Sequence, residues 1–199
     1  MSLTGIILSG GESSRMGMEK GLCILKGKPL IEYSFDLLKN ICDSIIISAN
    51  IKDYDYLGCP VIKDEVLKKG PASGIYSCLK ASKTNDNFVI SCDMPMLTAE
   101  LIRYILSNKG DFDVVVPLFK GLPEPLSAYY RKNCTSVFEE SINSGKYKIQ
   151  DIIKNLSYRY IPIEPSETFY NSCLFTNVNT PDDHQKLDKM MSKNPTCRE

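Results

Sequence analysis

The sequence predicts an α/β fold, a three-layer sandwich in which a mostly parallel sheet lies between two layers of helices. Short apolar, β-branched runs alternate along the chain with longer stretches whose apolar residues recur at helical spacing. The runs are hydrophobic throughout, which is typical of strands covered on both faces. The 199 residues, of which 43% are hydrophobic and 24% charged, suit one globular domain with a sizeable core. A single domain over residues 1–199 is therefore expected.

The strands and helices of this sandwich can be located in order. Five runs predict strands, at residues 5–8, 44–48, 60–62, 88–91 and 113–116. Three stretches between them predict crossover helices, at residues 29–41, 72–82 and 98–107. The pattern loosens after residue 120, where a strand at 126–130 and helices at 134–144 and 149–156 are interpreted as an insertion on the substrate side. A terminal helix is expected after Thr180, a capping residue, with Pro181 in its first turn.

Charge and composition exclude several classes of protein. The 24 Lys and Arg residues balance 24 Asp and Glu residues, so no overall field attracts nucleic acid or anionic lipid. No run approaches the roughly 18 apolar residues that span a bilayer, and no basic segment precedes an apolar one at the N-terminus, so a cytoplasmic protein is expected. The eight cysteines include no C-x-x-C pair and are expected to be reduced and mostly buried. His184 is the only histidine, which argues against zinc, and it is expected on a solvated face of the terminal helix.

A glycine-rich loop directly follows the first predicted strand, and residues 8–20 read LSGGESSRMGMEK. Glycines let the backbone turn its amide groups toward a phosphate. Arg15 and Lys20 add two cations to the same loop, which suits a triphosphate. The spacing matches neither the dinucleotide-binding nor the P-loop fingerprint. From these residues alone, a glycine-rich turn with surface cations is an equally weighted alternative.

This loop resembles the signature L-[AS]-G-G-x-S-x-R-M-G-x-[DE]-K of the molybdenum cofactor guanylyltransferases, the MobA-like family. Further motifs of that family follow in the same order, with Gly-Pro-x-x-Gly at 70–74, Cys-Asp-Met-Pro at 92–95, Glu-Pro-Leu at 124–126 and Asn-x-Asn-Thr-Pro at 177–181. The resemblance implies the Rossmann-like, nucleotide-diphospho-sugar transferase-like version of the α/β sandwich. It also implies an enzyme that transfers GMP from GTP to the phosphate of molybdopterin and releases pyrophosphate, with Mg²⁺ as cofactor.

Asp93 is the magnesium ligand that the resemblance implies. It follows the strand predicted at 88–91, so its carboxylate is expected at the carboxyl end of the sheet, where open α/β folds bind ligands. A hard oxygen ligand there can hold Mg²⁺ while phosphate oxygens take other coordination positions. Arg15 and Lys20 complete the catalytic set that the resemblance implies. From the residues alone, Asp93 could instead cap the turn before Pro95.

The resemblance also implies a set of nucleotide contacts. Its members are Leu8, Ser9, Gly10, Gly11, Lys20, Ser48, Asp64 and Asp93. The chain departs from the family pattern at two of them, with Ser9 where alanine is frequent and Ser48 where asparagine is common. A guanine contact made by backbone atoms would tolerate the change at Ser9. Asp64 follows the strand predicted at 60–62 and could equally be a turn residue.

Glu124, Asn177 and Asn179 are implied to bind the acceptor. Amide side chains suit a pterin because they can both donate and accept hydrogen bonds. Two alternatives stay open, namely that the asparagines form a polar lead into the Thr180 cap and that Glu124 is an exposed loop carboxylate. The nucleotide-binding half is expected at residues 1–115 and the acceptor-binding half at residues 116–191.

GTP and molybdopterin are the expected partners, with transient contact to molybdoenzyme maturation proteins. Neither nucleic acid nor membrane is expected to bind. Three alternative functions remain, which are the use of CTP with molybdopterin, nucleotide transfer to another small phosphate, and a non-catalytic carrier of GTP or pterin. The joint presence of Arg15, Lys20 and Asp93 favours an enzyme over a carrier.

Overall fold

The computed structural model describes residues 2–10, 19–51, 53–66 and 70–193. Its strands are β1 (Leu3–Leu8), β2 (Ile24–Leu25), β3 (Lys28–Pro29), β4 (Ser44–Ser48), β5 (Val61–Ile62), β6 (Asp86–Ser91), β7 (Val114–Phe119), β8 (Leu122–Pro123), β9 (Ser127–Arg131) and β10 (Tyr158–Ile163). Its helices are α1 (Leu30–Lys39), α2 (Pro71–Ala81), α3 (Ala99–Ser107), α4 (Cys134–Asn143), α5 (Ile149–Ile153) and α6 (Pro181–Lys193). The predicted strands and helices are all present, with small shifts at their ends.

One sheet runs through the protein in the order β10-β7-β9-β6-β1-β4-β5, with β8 paired to β7. Strand β1 lies between β4 and β6 and is parallel to both. Strand β9 is antiparallel to both of its neighbours, β6 and β7, whereas β10 is parallel to β7. The predicted α/β fold with a mostly parallel sheet is therefore confirmed.

Helices cover both faces of this sheet, as a three-layer sandwich requires. On one face, Ile7 of β1 packs in a cluster with Leu38 of α1 and Leu101 of α3. On the other face, Ile6 packs in a cluster with Ile75 of α2. Neighbouring residues of a strand point to opposite faces, so β1 contributes to both layers and must be apolar at successive positions. Full burial of each such side chain stabilises the fold by about 1.5–3 kcal/mol.

The segment after residue 120 is not an insertion outside the sheet. Lys120 and Gly121 have φ values of 52° and 80° and form the turn of the hairpin between β7 and β8. Strand β9 then enters the middle of the sheet, and β10 extends its edge. The interpretation as an insertion on the substrate side is therefore wrong for the strand predicted at 126–130, which is β9.

Strand β10 lies outside the sequence-based prediction. Its residues read YRYIPI, with polar side chains and Pro162, whereas the central strands β1 and β6 contain the uninterrupted apolar runs IIL and FVI. Proline lacks an amide donor and is tolerated in an edge strand, where one side of the backbone has no ladder to form. The edge position explains both the weak strand signal and the acceptance of Pro162.

The start of α6 forms as predicted, and His184 makes a contact that the sequence did not predict. The Asp183 amide donates to Thr180 Oγ1 at 3.1 Å, and the Thr180 amide donates to Asp183 Oδ2 at 3.0 Å, which is a reciprocal cap. His184 is half-buried, and its Nε2 contacts the carbonyl oxygen of Ile24 in β2. The histidine therefore joins α6 to the β2–β3 hairpin from a partly solvated position.

The cysteines behave as apolar side chains in the part of the chain that is described. Cys23, Cys78, Cys92 and Cys134 are buried, and none of the seven described cysteines forms a disulfide. Burial raises the pKa of the Cys92 thiol to about 12, so it is protonated at neutral pH. Within the same residues, no helix is long and apolar enough to cross a membrane.

Candidate active site

The carboxyl ends of β1, β4 and β6 meet at one edge of the sheet. Leu8 is in register with Ser48 on one side and with Ser91 on the other. The next residues continue this contact, because the Ser9 amide donates to the Ser48 carbonyl at 2.9 Å and the Cys92 amide donates to the Leu8 carbonyl at 3.0 Å. The edge thus gathers Leu8, Ser9, Ser48 and, one residue after Cys92, Asp93. Ligands of open α/β sheets bind at such an edge.

Lys20 joins two predicted parts of the site. It begins a 3₁₀ helix, Lys20–Leu22, and its Nζ lies 2.5 Å from Asp93 Oδ2. The same ammonium contacts Oδ1 of Asn179, which precedes α6. Side-chain exposure is 23% for Lys20 and 12% for Asp93, so water screens this ion pair only partly. Three residues from distant parts of the sequence therefore form one cluster.

Asp93 also has a buried carboxylate oxygen that accepts no hydrogen bond from the described residues. Its Oδ1 and the Oδ1 of Asn177 are both buried and have no hydrogen-bond partner among the described residues. The backbone segments that carry these two residues are joined, because the amide of Val178 donates to the Asp93 carbonyl at 2.9 Å, and both residues line one cavity. A buried polar atom without a partner costs about 1–3 kcal/mol, so such atoms in a cleft indicate a binding function.

A cavity of about 420 Å³ opens beside this cluster. Its lining includes all three predicted acceptor residues, Glu124, Asn177 and Asn179, together with Asp93. Burial raises the pKa of Glu124, and the nearby negative charge of Asp93 raises it further. Two neighbouring carboxylates favour a ligand that brings a proton donor or a cation into the cavity.

The nucleotide side of the edge is organised around Asp64. The Ser48 hydroxyl donates to Asp64 Oδ1 at 3.1 Å, and the Asn50 amide group donates to Asp64 Oδ2 at 3.3 Å. Asp64 also serves the local turn, since its own amide donates to Asn50 Oδ1 at 3.2 Å. The structure therefore shows Asp64 as a turn residue, and its contact with the nucleotide stays a prediction.

Helix α2 approaches this pair closely through Gly74. A Cβ atom at Gly74 would lie 2.5 Å from Ser48 Oγ and 3.4 Å from Asp64 Oδ1. The second glycine of the Gly-Pro-x-x-Gly motif thus has a steric reason, because any larger side chain would push into the Ser48 and Asp64 pair. Pro71, at the first turn of the same helix, lines the cavity next to Asp93.

Some residues of the site were not predicted from the sequence, and some predicted residues lie outside the part of the chain that the structure describes. Tyr147, Lys148 and Gln150 line the cavity, and no motif singled them out because they lie near a short helix with ordinary composition. Gly10 is described and exposed, whereas Gly11 and Arg15 lie outside the described residues. No cluster of three potential metal ligands occurs among the residues that the structure covers.

A comparison with protein families decides the classification. The family model described as MobA-like NTP transferase domain matches residues 5–160. The chain belongs to this family. The resemblance drawn from the sequence motifs is thereby confirmed, and this member of the MobA-like family is a nucleotidyltransferase.

Two relatives extend the match over nearly the whole chain. A protein of Carboxydothermus hydrogenoformans, named a probable molybdenum cofactor guanylyltransferase, is 36% identical over 96% of this chain and 98% of its own length. The crystal structure of molybdopterin-guanine dinucleotide biosynthesis protein A from Archaeoglobus fulgidus is 29% identical and has a TM-score of 0.80. That alignment covers 96% of this chain and 99% of the other. Similarity therefore extends to α6, beyond the matched domain.

A more distant structure is similar in fold alone. CMP:2-keto-3-deoxy-manno-octonic acid synthetase, solved in complex with CTP, is 12% identical and has a TM-score of 0.73. The alignment covers 98% of this chain and 100% of that one. The shared sheet architecture supports the predicted fold class, while function must be argued from the site itself.

Proposed function

We propose that this chain transfers GMP from GTP to the terminal phosphate of molybdopterin and releases pyrophosphate. The observation that carries the proposal is the cluster of Lys20, Asp93 and Asn179, which joins the nucleotide edge to the cavity. The names of the relatives in Carboxydothermus and Archaeoglobus support the same substrates. Cytoplasmic location and transient contact with molybdoenzyme maturation proteins remain predictions.

The proposed reaction needs positioning and charge more than a protein nucleophile. An oxygen of the molybdopterin phosphate attacks the α-phosphorus of GTP, and the bond to the bridging oxygen of the β-phosphate breaks. Pyrophosphate leaves with that electron pair. A phosphate monoester is already an anion near neutral pH, so no strong base is required. Cations that neutralise charge on the phosphate oxygens would supply most of the rate enhancement.

Asp93 and Asn177 fit the Mg²⁺ that the family implies. Mg²⁺ in phosphoryl-transfer sites is held by one or two carboxylates while substrate phosphates and water complete the coordination. The buried Oδ1 atoms of Asp93 and Asn177 are oxygen donors of that kind, and neither has another partner among the described residues. Mg²⁺ bound there would supply charge neutralisation at the α-phosphate.

Lys20 would bind the phosphate chain from the nucleotide side. Its ammonium contacts the Asp93 carboxylate, so a change of its side-chain rotamer would be enough to reach a phosphate bound beside Asp93. A lysine acts as a mobile point charge, which suits neutralisation of departing pyrophosphate. Arg15 is proposed to act beside it, although its position is outside the described residues. Leu8, Ser9, Gly10 and Gly11 would contact the base and phosphates chiefly through their backbone.

Ser48 and Asp64 are proposed to contact the nucleoside. Their hydrogen bond places a carboxylate and a hydroxyl together at the end of β4. A carboxylate is an acceptor, and guanine presents N–H donors, so Asp64 supports guanine as the base. Cytosine also carries an amino group, which keeps CTP as the second candidate.

The cavity is proposed to hold the pterin. Asn177 and Asn179 offer amide groups that can match ring donors and acceptors, and Glu124 offers a half-buried carboxyl. Lys148 also lines the cavity and would meet the anionic end of the acceptor. The mixture of one cation, three amides and two carboxylates suits a polar ring with an attached phosphate better than a simple sugar phosphate.

A single assay tests the proposal. Release of pyrophosphate is measured with GTP, CTP, ATP or UTP, with and without molybdopterin and Mg²⁺. We expect release only when GTP, molybdopterin and Mg²⁺ are combined. Release with CTP in place of GTP would reassign the base, and release with a different phosphate acceptor would reassign the acceptor. Tight GTP binding without any product would support the non-catalytic carrier instead.

A further inference from the structure

Tyr54 is a buried tyrosine whose hydroxyl is hydrogen-bonded to Ser9 and to Glu19. Its side chain has no solvent exposure and packs in the same cluster as Ile31 and Ala49. A buried hydroxyl is costly unless it is hydrogen-bonded. Here it accepts from Ser9 Oγ at 2.7 Å and donates to Glu19 Oε1 at 3.3 Å. Phenylalanine could fill the same apolar space but could not form these two hydrogen bonds, so the hydrogen bonds are the reason for a tyrosine at this position.

The two partners of Tyr54 stand at the two ends of the glycine-rich segment. Ser9 follows β1, and its amide is fixed to the Ser48 carbonyl at 2.9 Å. Glu19 directly precedes Lys20, and the Glu19 carbonyl accepts from the Leu22 amide at 3.1 Å. The Tyr54 hydroxyl therefore bridges the residue that enters the segment and the residue that leaves it.

Gly21 shows how closely the chain packs against this bridge. A Cβ atom at Gly21 would lie 2.4 Å from the Tyr54 hydroxyl oxygen and 2.5 Å from Ser9 Oγ. Such contacts are far below van der Waals separation, so the backbone next to Lys20 rests directly on the pair of hydroxyls. Burial raises the pKa of Glu19 and holds the pKa of Tyr54 well above its usual range, which keeps the phenol protonated as the donor.

We propose that Tyr54 is a positioning residue for nucleotide binding, acting by fixing Ser9 to Glu19 and thereby holding Lys20 within reach of Asp93. The proposal rests on the proposed function, because it assigns a purpose to the segment that would bind the triphosphate. Tyr54 touches no reacting atom in this arrangement. Its contribution is preorganisation, since a lysine that is already held beside Asp93 loses less conformational freedom when the nucleotide binds.

The test compares Tyr54→Phe with the wild type by direct binding of Mg²⁺ and nucleotide, measured calorimetrically with GTP and with CTP. We expect nucleotide affinity to fall about tenfold, the magnitude of one lost hydrogen-bond bridge. The KM for molybdopterin should stay within about twofold, because Tyr54 does not reach the cavity. A purely structural tyrosine would lower the unfolding temperature without separating the two substrates.

Tyr129→Phe is the matched control. Tyr129 is equally buried, and its hydroxyl donates to Asp86 Oδ1 at 2.6 Å, at the end of β6 away from Asp93. This variant should lose stability and keep nucleotide affinity. Equal nucleotide affinity in the wild type and in Tyr54→Phe would overturn the positioning proposal and leave the proposed function standing. Absence of nucleotide binding by the wild type would overturn both.

A second pair of variants keeps the proposal testable if Tyr54→Phe does not fold. Glu19→Ala removes the acceptor of the Tyr54 hydroxyl from a half-buried position outside the core. It should weaken nucleotide binding about as much as Tyr54→Phe. Glu19→Gln retains an acceptor oxygen and should recover affinity to within about threefold of the wild type. Equal affinity for Glu19→Ala and Glu19→Gln would count against the bridge.

Discussion

The Lys20 ammonium lies 2.5 Å from the Asp93 carboxylate and links the segment after β1 to the turn after β6. Both groups are proposed to serve the phosphates, one directly and one through Mg²⁺. An ammonium has three N–H donors, and Lys20 directs two of them to Asp93 and Asn179. The third can donate to a phosphate while the ion pair with Asp93 stays in place.

Replacing Asp93 by asparagine tests the metal assignment. Asp93→Asn keeps the side-chain size and removes the charge, so turnover should fall by at least about 100-fold, near 3 kcal/mol of lost transition-state stabilisation. The unfolding temperature should change little. The measurement is pyrophosphate release across a Mg²⁺ titration, with Asp111→Asn, a fully exposed aspartate, as the control. Near-normal turnover with an unchanged Mg²⁺ requirement would remove Asp93 from the metal site.

Lys20→Ala tests the division between nucleotide and acceptor. The loss of one cation beside the triphosphate should lower kcat/KM for GTP about tenfold to 100-fold, while the KM for molybdopterin changes much less. Steady-state kinetics with each substrate varied in turn gives both values. Lys154→Ala removes an exposed lysine paired to Asp151 and should change neither. If only molybdopterin use suffered in Lys20→Ala, the two halves of the site would have to be exchanged.

Asn179→Ala separates acceptor binding from helix capping. The side chain of Asn179 lines the cavity, whereas its backbone amide donates to Asp183 Oδ2 at 3.2 Å and survives the substitution. The KM for molybdopterin should rise about tenfold while GTP binding stays near wild type. Thr180→Ala is the complementary variant, since it should cost about 1 kcal/mol of stability through the cap and spare acceptor use. The reverse pattern in the two variants would assign Asn179 to the helix alone.

The raised pKa of Glu124 predicts a pH-dependent stability. Burial and the charge of Asp93 raise this pKa in the folded protein, so the folded protein binds a proton on Glu124 more readily than the unfolded chain does. The contribution of Glu124 to stability is therefore lost as the pH rises from 4.5 through the pKa of the folded state. Glu124→Gln should therefore raise the unfolding temperature at neutral pH, with the gain disappearing toward pH 4.5. Thermal unfolding across pH, with the exposed Glu140→Gln as control, measures this. A gain that persists unchanged in acid would exclude the carboxyl charge as its cause.

The central strands and the site edge could be predicted because their signals are local. The runs of β1, β4 and β6 are continuously apolar, and parallel strands bring the residues that follow them to one edge. Asp93 could therefore be placed at this edge before any coordinates were known. The family motifs added Ser9, Ser48, Lys20 and the asparagines as site residues.

The rest could not be predicted because it depends on contacts between residues far apart. Ser9 and Tyr54 are separated by 45 positions, and a tyrosine in a turn gives no sign that its hydroxyl will lie under another segment. Strand β9 carries a recognisable run, yet its place between β6 and β7 depends on pairing across the sheet. Lys148 lines the cavity only because α5 packs beside it, and its neighbours in sequence show no motif.

The central position of β9 has a consequence for synthesis on the ribosome. Strand β6, which carries the turn to Asp93, pairs along Asp86 to Ile90 with Arg131 to Ser127 of β9. A nascent chain that has emerged only to the end of β7 therefore has β6 with one open edge, a surface that promotes aggregation and recruits chaperones. The site edge would acquire its final rigidity only after residue 131 leaves the exit tunnel. Stalled chains ending on either side of this point should differ in resistance to protease once the tunnel length is allowed for, and equal resistance would show that the first half folds by itself.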